Sequence, residues 1–318
     1  MWLRDIMDRE SGAMVSYNPQ ERFSFDARPS DRSISRRFSS SGLYVNGIRI
    51  KKEQVSDLLN SAENNDLRGA ARYLNSLVQQ NIGGPEDVPS LVKLLDRVVR
   101  KNVDKLSSDA QSRFLSFMTL ARYEAEVIAG SYQGAFIPPE DLITLLPAKG
   151  TYLSVATGPG DDIRKMKSLL PEATFIGVDI SEEMVARALK EDPNGIYGMA
   201  DAQQLPFKYS LFDGVVMLNA LDRIPNPRKA LYEVSRVLKA GGTFIVGNCN
   251  PLQYEKEVSG GVTLTYVPLE NRISSMEEAL QVAGCKVLDT RFDLPWNIET
   301  IADGKEPLLV DLAVGRRY

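Results

Sequence analysis

Two kinds of spacing divide the chain. From Lys51 to Ser131 apolar residues recur at helical intervals: Val55, Leu58 and Leu59, then Ala70, Tyr73, Leu74 and Leu77, then Leu91, Leu94, Leu95 and Val98, then Phe114, Phe117, Met118 and Ala121 on towards Ile128. Gly83-Gly84-Pro85 interrupts this series, and Pro89-Ser90 opens the next helix. Beyond Thr151 the apolar runs shorten to strand length and alternate with amphipathic helices. Strands are expected at Tyr152–Ala156, Thr174–Val178, Ile196–Ala200, Gly214–Leu218 and Thr243–Val246. Between them lie helices carrying Ile163, Met166, Leu169 and Leu170 (stopped by Pro171), then Met184, Ala188 and Leu189, then Ala230, Leu231, Val234, Val237 and Leu238. Gly241-Gly242 is expected to close the last of these as a left-handed cap, with Lys239 complementing its C-terminus. Ser275–Val282 reads as a helix, and Lys286–Phe292 and Leu308–Val314 as the final two strands.

Strand and helix in strict alternation predict a parallel α/β sheet with right-handed crossovers. The organisation this implies is an extended or disordered arm at 1–42, a helical subdomain with a short hairpin at 43–135, and a nucleotide-binding α/β domain at 136–318. The arm is assigned from Ser24–Gly42, rich in Ser, Arg and Asp and poor in groups to bury. Its Arg28, Arg32, Arg36 and Arg37 are diluted by Asp26 and Asp31, as in a solvated tail. The hairpin rests on Asn46-Gly47 between the apolar flanks of Tyr44–Ile50. The stripes of the helical subdomain suit internal packing, homodimerisation or the covering of a pocket, and pattern alone does not choose.

In such a sheet the carboxyl ends of the parallel strands share one edge, where ligands bind. The first strand runs into Gly158-Pro159-Gly160, which brings backbone close to a ligand, followed by Asp161 and Asp162, suited to capping a helix and complementing its dipole. The next strands deliver Asp179, Asp201 and Asn219 to the same edge. A carboxylate at the end of the second strand can accept hydrogen bonds from both hydroxyls of a ribose, so a nucleoside is the ligand expected. A dinucleotide fingerprint would need a third glycine where Ile163 stands, which argues against a nicotinamide cofactor. In the loop after Asp201, Leu205 and Phe207 can wall an aromatic ring.

Composition narrows the chemistry. The 318 residues include no histidine and two cysteines, which excludes a histidine base, a Ser-His-Asp triad, a His-ligated metal and a disulfide framework. Cys249 and Cys285 are expected as small buried hydrophobes. A net charge of −4 and a pI near 5.3 argue against a nucleic-acid partner. With no run of membrane-spanning length and no signal-like apolar stretch in Met1–Glu10, a soluble cytoplasmic protein without a membrane partner is expected.

Residues 151–247 resemble the class I S-adenosylmethionine-dependent methyltransferases, in particular the branch acting on small molecules and in quinone biosynthesis. The resemblance is carried by Asp201-Ala202-Gln203-Gln204-Leu205-Pro206-Phe207, by Leu211 to Val216, by Asn219-Ala220-Leu221-Asp222-Arg223-Ile224 and by Ala230 through Val246. It implies a Rossmann-like seven-stranded mixed sheet whose last two strands form an antiparallel hairpin, and S-adenosylmethionine as cofactor. It also implies site roles. Ala156, Thr157, Gly158 and Gly160 would lie against the methionine and ribose portion, Asp179 would hold the ribose hydroxyls, and Ile180 would contact adenine. Asp201 and Ala202 would meet the adenine amino edge, and Asn219 would lie beside the sulfonium. The chain departs from the family at Ser154, where an acidic residue is usual in the first strand, at Ala156, where the first loop glycine is usual, and at Asp222-Arg223, where many relatives carry histidine. The function expected is metal-independent methyl transfer to an O, N or C nucleophile of a small-molecule acceptor. Asp222, Tyr254 or no base at all would serve it. The alternative is a cofactor-binding protein of the same fold with a non-methylating role as regulator, scaffold or enzyme of other chemistry.

Overall fold

The computed structural model describes residues 42–45, 48–130, 136–249, 256–258, 262–264, 272–295 and 309–318. They fall into two compact units, a helical one over 42–130 that also takes in 257–258 and 262–264, and an α/β one over 136–249, 256, 272–295 and 309–318.

In the helical unit β1 (Gly42–Val45) and β2 (Ile48–Lys51) pair antiparallel with Val45 opposite Ile48, the geometry of a two-residue hairpin loop; Asn46-Gly47 themselves lie outside the described residues. Four helices follow: α1 (Lys52–Glu63), α2 (Leu67–Asn81), α3 (Val88–Asn102) and α4 (Ser108–Ile128). Asp66 caps α2 by accepting from the Gly69 amide, 2.9 Å. Leu58, Leu74, Leu91, Leu94, Phe114 and Ala121 are buried, so the stripes read from the sequence face inwards within this unit. No helix among the described residues is long and apolar enough to cross a membrane.

The α/β unit opens with α5 (Glu140–Ile143) and then alternates: β3 (Thr151–Val155), α6 (Asp161–Leu169), β4 (Thr174–Asp179), α7 (Glu182–Glu191), β5 (Ile196–Met199), β6 (Phe212–Leu218), α8 (Pro227–Val237) and β7 (Leu238–Cys249). A small ribbon, β8 (Lys256–Val258) with β9 (Val262–Leu264), precedes α9 (Met276–Val282), β10 (Cys285–Pro295) and β11 (Leu309–Arg317). The seven-stranded sheet has the order β10-β11-β7-β6-β3-β4-β5, parallel from β7 to β5 and antiparallel at β11 and β10. This is the Rossmann-like seven-stranded mixed sheet that the resemblance implies, with the parallel strands where the alternating pattern expects them.

Strand β3 begins the series in the middle of the sheet. The chain adds β4 and β5 on one side, then crosses to β6 and β7 on the other. The order therefore reverses between β3 and β6, a topological switch point whose carboxyl edge is an open crevice. Beneath it, Leu153, Val155, Val215, Met217, Phe244 and Val246 pack with Ala230, Leu231 and Val234 of α8 and with Ala279 and Leu280 of α9. At about 1.5–3 kcal/mol per fully buried large aliphatic side chain, this core stabilises the strands that end at the crevice.

Two expectations are corrected. Helix α8 ends at Val237, and Gly241, at φ +73°, bends the chain inside β7 instead of capping a helix. Leu238 already pairs with Phe212, and the ladder resumes at Gly214 opposite Thr243, so residues 239–242 bulge out between the two pairs. Lys239 reaches Asp213, 2.7 Å, in place of the helix carbonyls. At β10, register shifts between Val287 and Asp289 and between Arg291 and Leu294 break its pairing with β11, and Asp293 takes φ +53°.

Candidate functional site

The loop after β3 is tied on three sides. Thr157 donates its amide to the Val178 carbonyl of β4, 3.0 Å, and the Gly158 amide donates to Asp179 Oδ2, 2.9 Å. Ala156 and Gly158 adopt positive φ, +56° and +55°. Gly160, at φ +78°, opens α6, and a Cβ there would stand 2.8 Å from the Tyr197 hydroxyl. Its glycine is thus required by backbone conformation and by packing on β5. Arg164 donates to the Pro159 carbonyl, 2.7 Å, and pairs with Asp161.

Asp162 does not cap α6, whose N-cap is Gly160. It is turned inwards and 4% exposed, accepting from Ser154 Oγ at 2.5 Å, Thr157 Oγ1 at 3.0 Å and the Ile163 amide at 2.8 Å. Burial pushes its carboxyl above the ordinary value, and the three donors pull it back.

Asp179 sits at the tip of β4, 9% exposed. Oδ2 accepts from Gly158, and Oδ1 accepts from the Ser181 amide, 2.9 Å, at the start of α7. The Ile180 amide acts on the same carboxylate, so three backbone amides fix its orientation at the tip of β4. Ile180, half-buried, follows at once.

Asp201 stands one strand further out. It accepts from the Gln203 amide, 2.8 Å, and Gln203 Oε1 accepts from the Asn226 amide, 3.2 Å, at the N-cap of α8. The loop 203–208 is clamped from α8: Glu233 accepts from the Leu205 amide, 2.7 Å, while Arg236 donates to the carbonyls of Phe207, 2.6 Å, and Leu205, 2.8 Å. Leu205 and Phe207 do not wall a pocket. Both are fully buried in the core, with Phe207 edge-on to Phe212 at 5.0 Å. Ala202, 9% exposed, lies in the same cluster.

On the other flank of the switch point Asn219 follows β6 with φ +50°, its amide bonded to the Gly247 carbonyl, 2.7 Å. Its Oδ1 accepts weakly from Cys249 Sγ, 3.7 Å, which turns Nδ2 away from the thiol. That Nδ2 is buried without a hydrogen-bond partner, as are Asp222 Oδ1, three residues on, and Asn248 Oδ1 in β7. Orphaned buried polar atoms are costly and call for a partner that the described residues do not supply. Asp222 Oδ2 lies 3.9 Å from Arg223 Nε, and Arg223 donates to the Asn219 carbonyl, 2.6 Å. Tyr254 lies outside the described residues. Both cysteines are buried thiols outside any disulfide, and burial pushes the Cys285 thiol to about 11. Among the described residues no group of three or more His, Cys, Asp or Glu could hold a metal ion.

The sheet thus brings Ala156, Thr157, Gly158, Asp179, Ile180, Asp201 and Asn219 to the carboxyl ends of four neighbouring strands. A carboxylate oriented by backbone amides at Asp179 and an unpartnered donor at Asn219 fit a nucleoside with a polar tail. Sequence reasoning missed Asp162, Gln203, Arg236 and Cys249 as the groups that hold this edge in place. Only Gln203 and Arg236 carried a signal, since both lie in the stretches that carry the resemblance.

A family model described as a methyltransferase domain matches residues 153–246, from β3 into β7. The demethylmenaquinone methyltransferase of Thermotoga maritima is 28% identical over 155 residues, covering 49% of this chain and 59% of its own. The ubiquinone/menaquinone biosynthesis C-methyltransferase of Desulfotalea psychrophila is 35% identical over 107 residues, covering 33% of this chain and 44% of its own. The chain thus spans about half the length of these curated relatives. A solved S-adenosylmethionine-dependent methyltransferase from Aquifex aeolicus aligns at 18% identity with a TM-score of 0.41, over 58% of this chain and 91% of its own. The sequence match falls on the strands and loops of the switch point, and residues 153–246 are similar to a methyltransferase domain.

Proposed function

We propose that the protein transfers the methyl group of S-adenosylmethionine to a small-molecule acceptor without a metal. The observation that carries this is the buried, partnerless pair at the switch point, Asn219 Nδ2 and Asp222 Oδ1. Asp179 would hold the ribose hydroxyls, Ala156, Thr157, Gly158 and Gly160 the methionine and ribose portion, Ile180 the adenine face, and Asp201 with Ala202 the adenine amino edge. Bound S-adenosylmethionine supplies an electrophilic methyl carbon on a sulfonium. The chain's own work is alignment and exclusion of water, which is worth several orders of magnitude in such displacements. Asn219 Nδ2 orients a polar group beside the cofactor. Asp222 Oδ1 accepts a hydrogen bond or proton from the acceptor's nucleophile, a carboxylate standing in for a base in a chain without histidine.

The Desulfotalea psychrophila relative is named a C-methyltransferase, which supports a carbon nucleophile among the acceptors to be tried. A cytoplasmic setting agrees with two thiols outside any disulfide. A cofactor-binding, non-methylating role is favoured by one feature, the strained Ala156 in the loop. The test begins with calorimetric titration of S-adenosylhomocysteine into wild type and Asp179→Ala, with NADH as control. Micromolar binding lost in the variant, followed by label transfer from methyl-labelled S-adenosylmethionine to members of a phenol, quinol, amine and carboxylate panel, establishes the activity. Tight binding without transfer to any of them moves the protein to the second role, and binding of NADH alone refutes both.

A further inference from the structure

Asp162 is a buried carboxylate with no part in the scheme above. Its partners are the hydroxyls of Ser154 and Thr157 and the Ile163 amide, all neutral donors. Withdrawing a carboxylate from water into such a place costs more than an apolar side chain of the same size would, so packing alone does not account for it. What it holds is specific. Ser154 belongs to β3, Ile163 to α6, and Thr157 lies between them in the loop. The carboxylate therefore joins the strand, the helix and the loop at one point. Thr157 is the residue whose own amide crosses to Val178 of β4, and its successor Gly158 is the one bonded to Asp179. A displacement of the Thr157 side chain is thus passed directly to the backbone on which Asp179 is oriented.

We propose that Asp162 is the positioning residue of the β3–α6 loop, and that its Oδ1 acts through the Thr157 hydroxyl to set the Thr157–Gly158 backbone for the cofactor. The strand offers only a hydroxyl at Ser154, and the helix supplies the acceptor from the other side of the same buried space. Asp161, one residue earlier, is turned to Arg164 and cannot take this place.

The proposal rests on the reading of this loop as part of the cofactor site, and one set of titrations separates the two. S-adenosylhomocysteine is titrated into wild type, Asp162→Ala, Asp162→Asn, Thr157→Val and the Thr157→Val/Asp162→Ala double variant, each checked for folding by far-UV circular dichroism. Asp162→Ala is expected to weaken binding by about tenfold, Thr157→Val by a similar factor, and the double variant by no more than Asp162→Ala alone. Asp162→Asn keeps Oδ1 as acceptor for both Thr157 and the Ile163 amide, and should bind within about twofold of wild type. Wild-type affinity in Asp162→Ala, losses that add in the double variant, or an Asp162→Asn as weak as the alanine variant would each overturn it. If Asp162→Ala does not fold, Asp162→Asn and Thr157→Val still decide between rescue and failure. Absence of binding in wild type would instead overturn the cofactor reading beneath it.

Discussion

Ala156 and Asn219 each directly follow one of two neighbouring parallel strands, β3 and β6, and each takes a left-handed backbone, φ +56° and +50°. They turn the chain off the sheet on the two flanks of the switch point. Asparagine tolerates that conformation, whereas alanine is strained in it. Ala156→Gly should therefore raise stability by about 1 kcal/mol, even after glycine's greater unfolded-state entropy. A urea titration with unchanged slope and a later midpoint would show it. An earlier midpoint would mean that the alanine methyl contributes more by packing than the backbone loses by strain.

The buried carboxyls set a pH dependence with opposite signs for stability and binding. Burial drives Asp179 above the ordinary 3.8, with the Ser181, Gly158 and Ile180 amides opposing it, and burial raises Asp162 in the same direction. A carboxyl raised in the folded state binds more protons there than in the unfolded chain. Its contribution is therefore fully present below the unfolded value and is lost as pH rises through the folded one. Measured as wild type minus Asp179→Asn, stability should fall from about pH 4 upwards until Asp179 is fully ionised. Affinity for S-adenosylhomocysteine should rise across that same window, because only the ionised group accepts from both ribose hydroxyls. Parallel trends in the two measurements would refute this role for Asp179.

Asp222→Asn is expected to leave S-adenosylhomocysteine affinity within about twofold and to lower kcat by about tenfold or more with an acceptor that must lose a proton. Single-turnover methyl transfer reads this directly. An unchanged kcat would place Asp222 among residues that merely shape the turn.

Arg236 clamps the loop after Asp201 through two carbonyls and Glu233, with a side chain 14% exposed. Arg236→Ala should cost about 2–3 kcal/mol in a urea titration, since it takes the donor from two carbonyls and leaves Glu233 only the Leu205 amide. Arg236→Lys should recover less than half of that loss, because a single ammonium does not reproduce the planar fork.

The sheet was legible because its parallel strands are buried on both faces and read as short apolar runs between amphipathic helices. The polar residues at the strand ends were legible for the same reason, as the first departures from those runs. Other features depend on information that pattern does not hold. Asp161 and Asp162 are alike in sequence, yet successive helix positions point about 100° apart, so one pairs with Arg164 outside and the other is buried over β3. Leu205 and Phe207 are apolar in a loop near the site, and only the packing of Phe207 on Phe212 shows them to be core. The glycines at 241 and 242 follow a helix as a cap would, but the pairing of Leu238 with Phe212 has already drawn the chain into the sheet.

The two breaks in β10 bear on how the molecule behaves when crowded. β10 is the outermost strand on its side, and its register shifts fall beside Leu288 and Phe292, both exposed, with Asp293 kinked between the last pairs. A flat outer strand with those side chains would invite a second molecule to add itself edge to edge. The bulges deny it a continuous row of amides and carbonyls, and the opposite edge, β5, is only four residues long. Both ends of the sheet are thus poor templates for polymerisation, and apolar side chains can stand in water on β10 without seeding fibres.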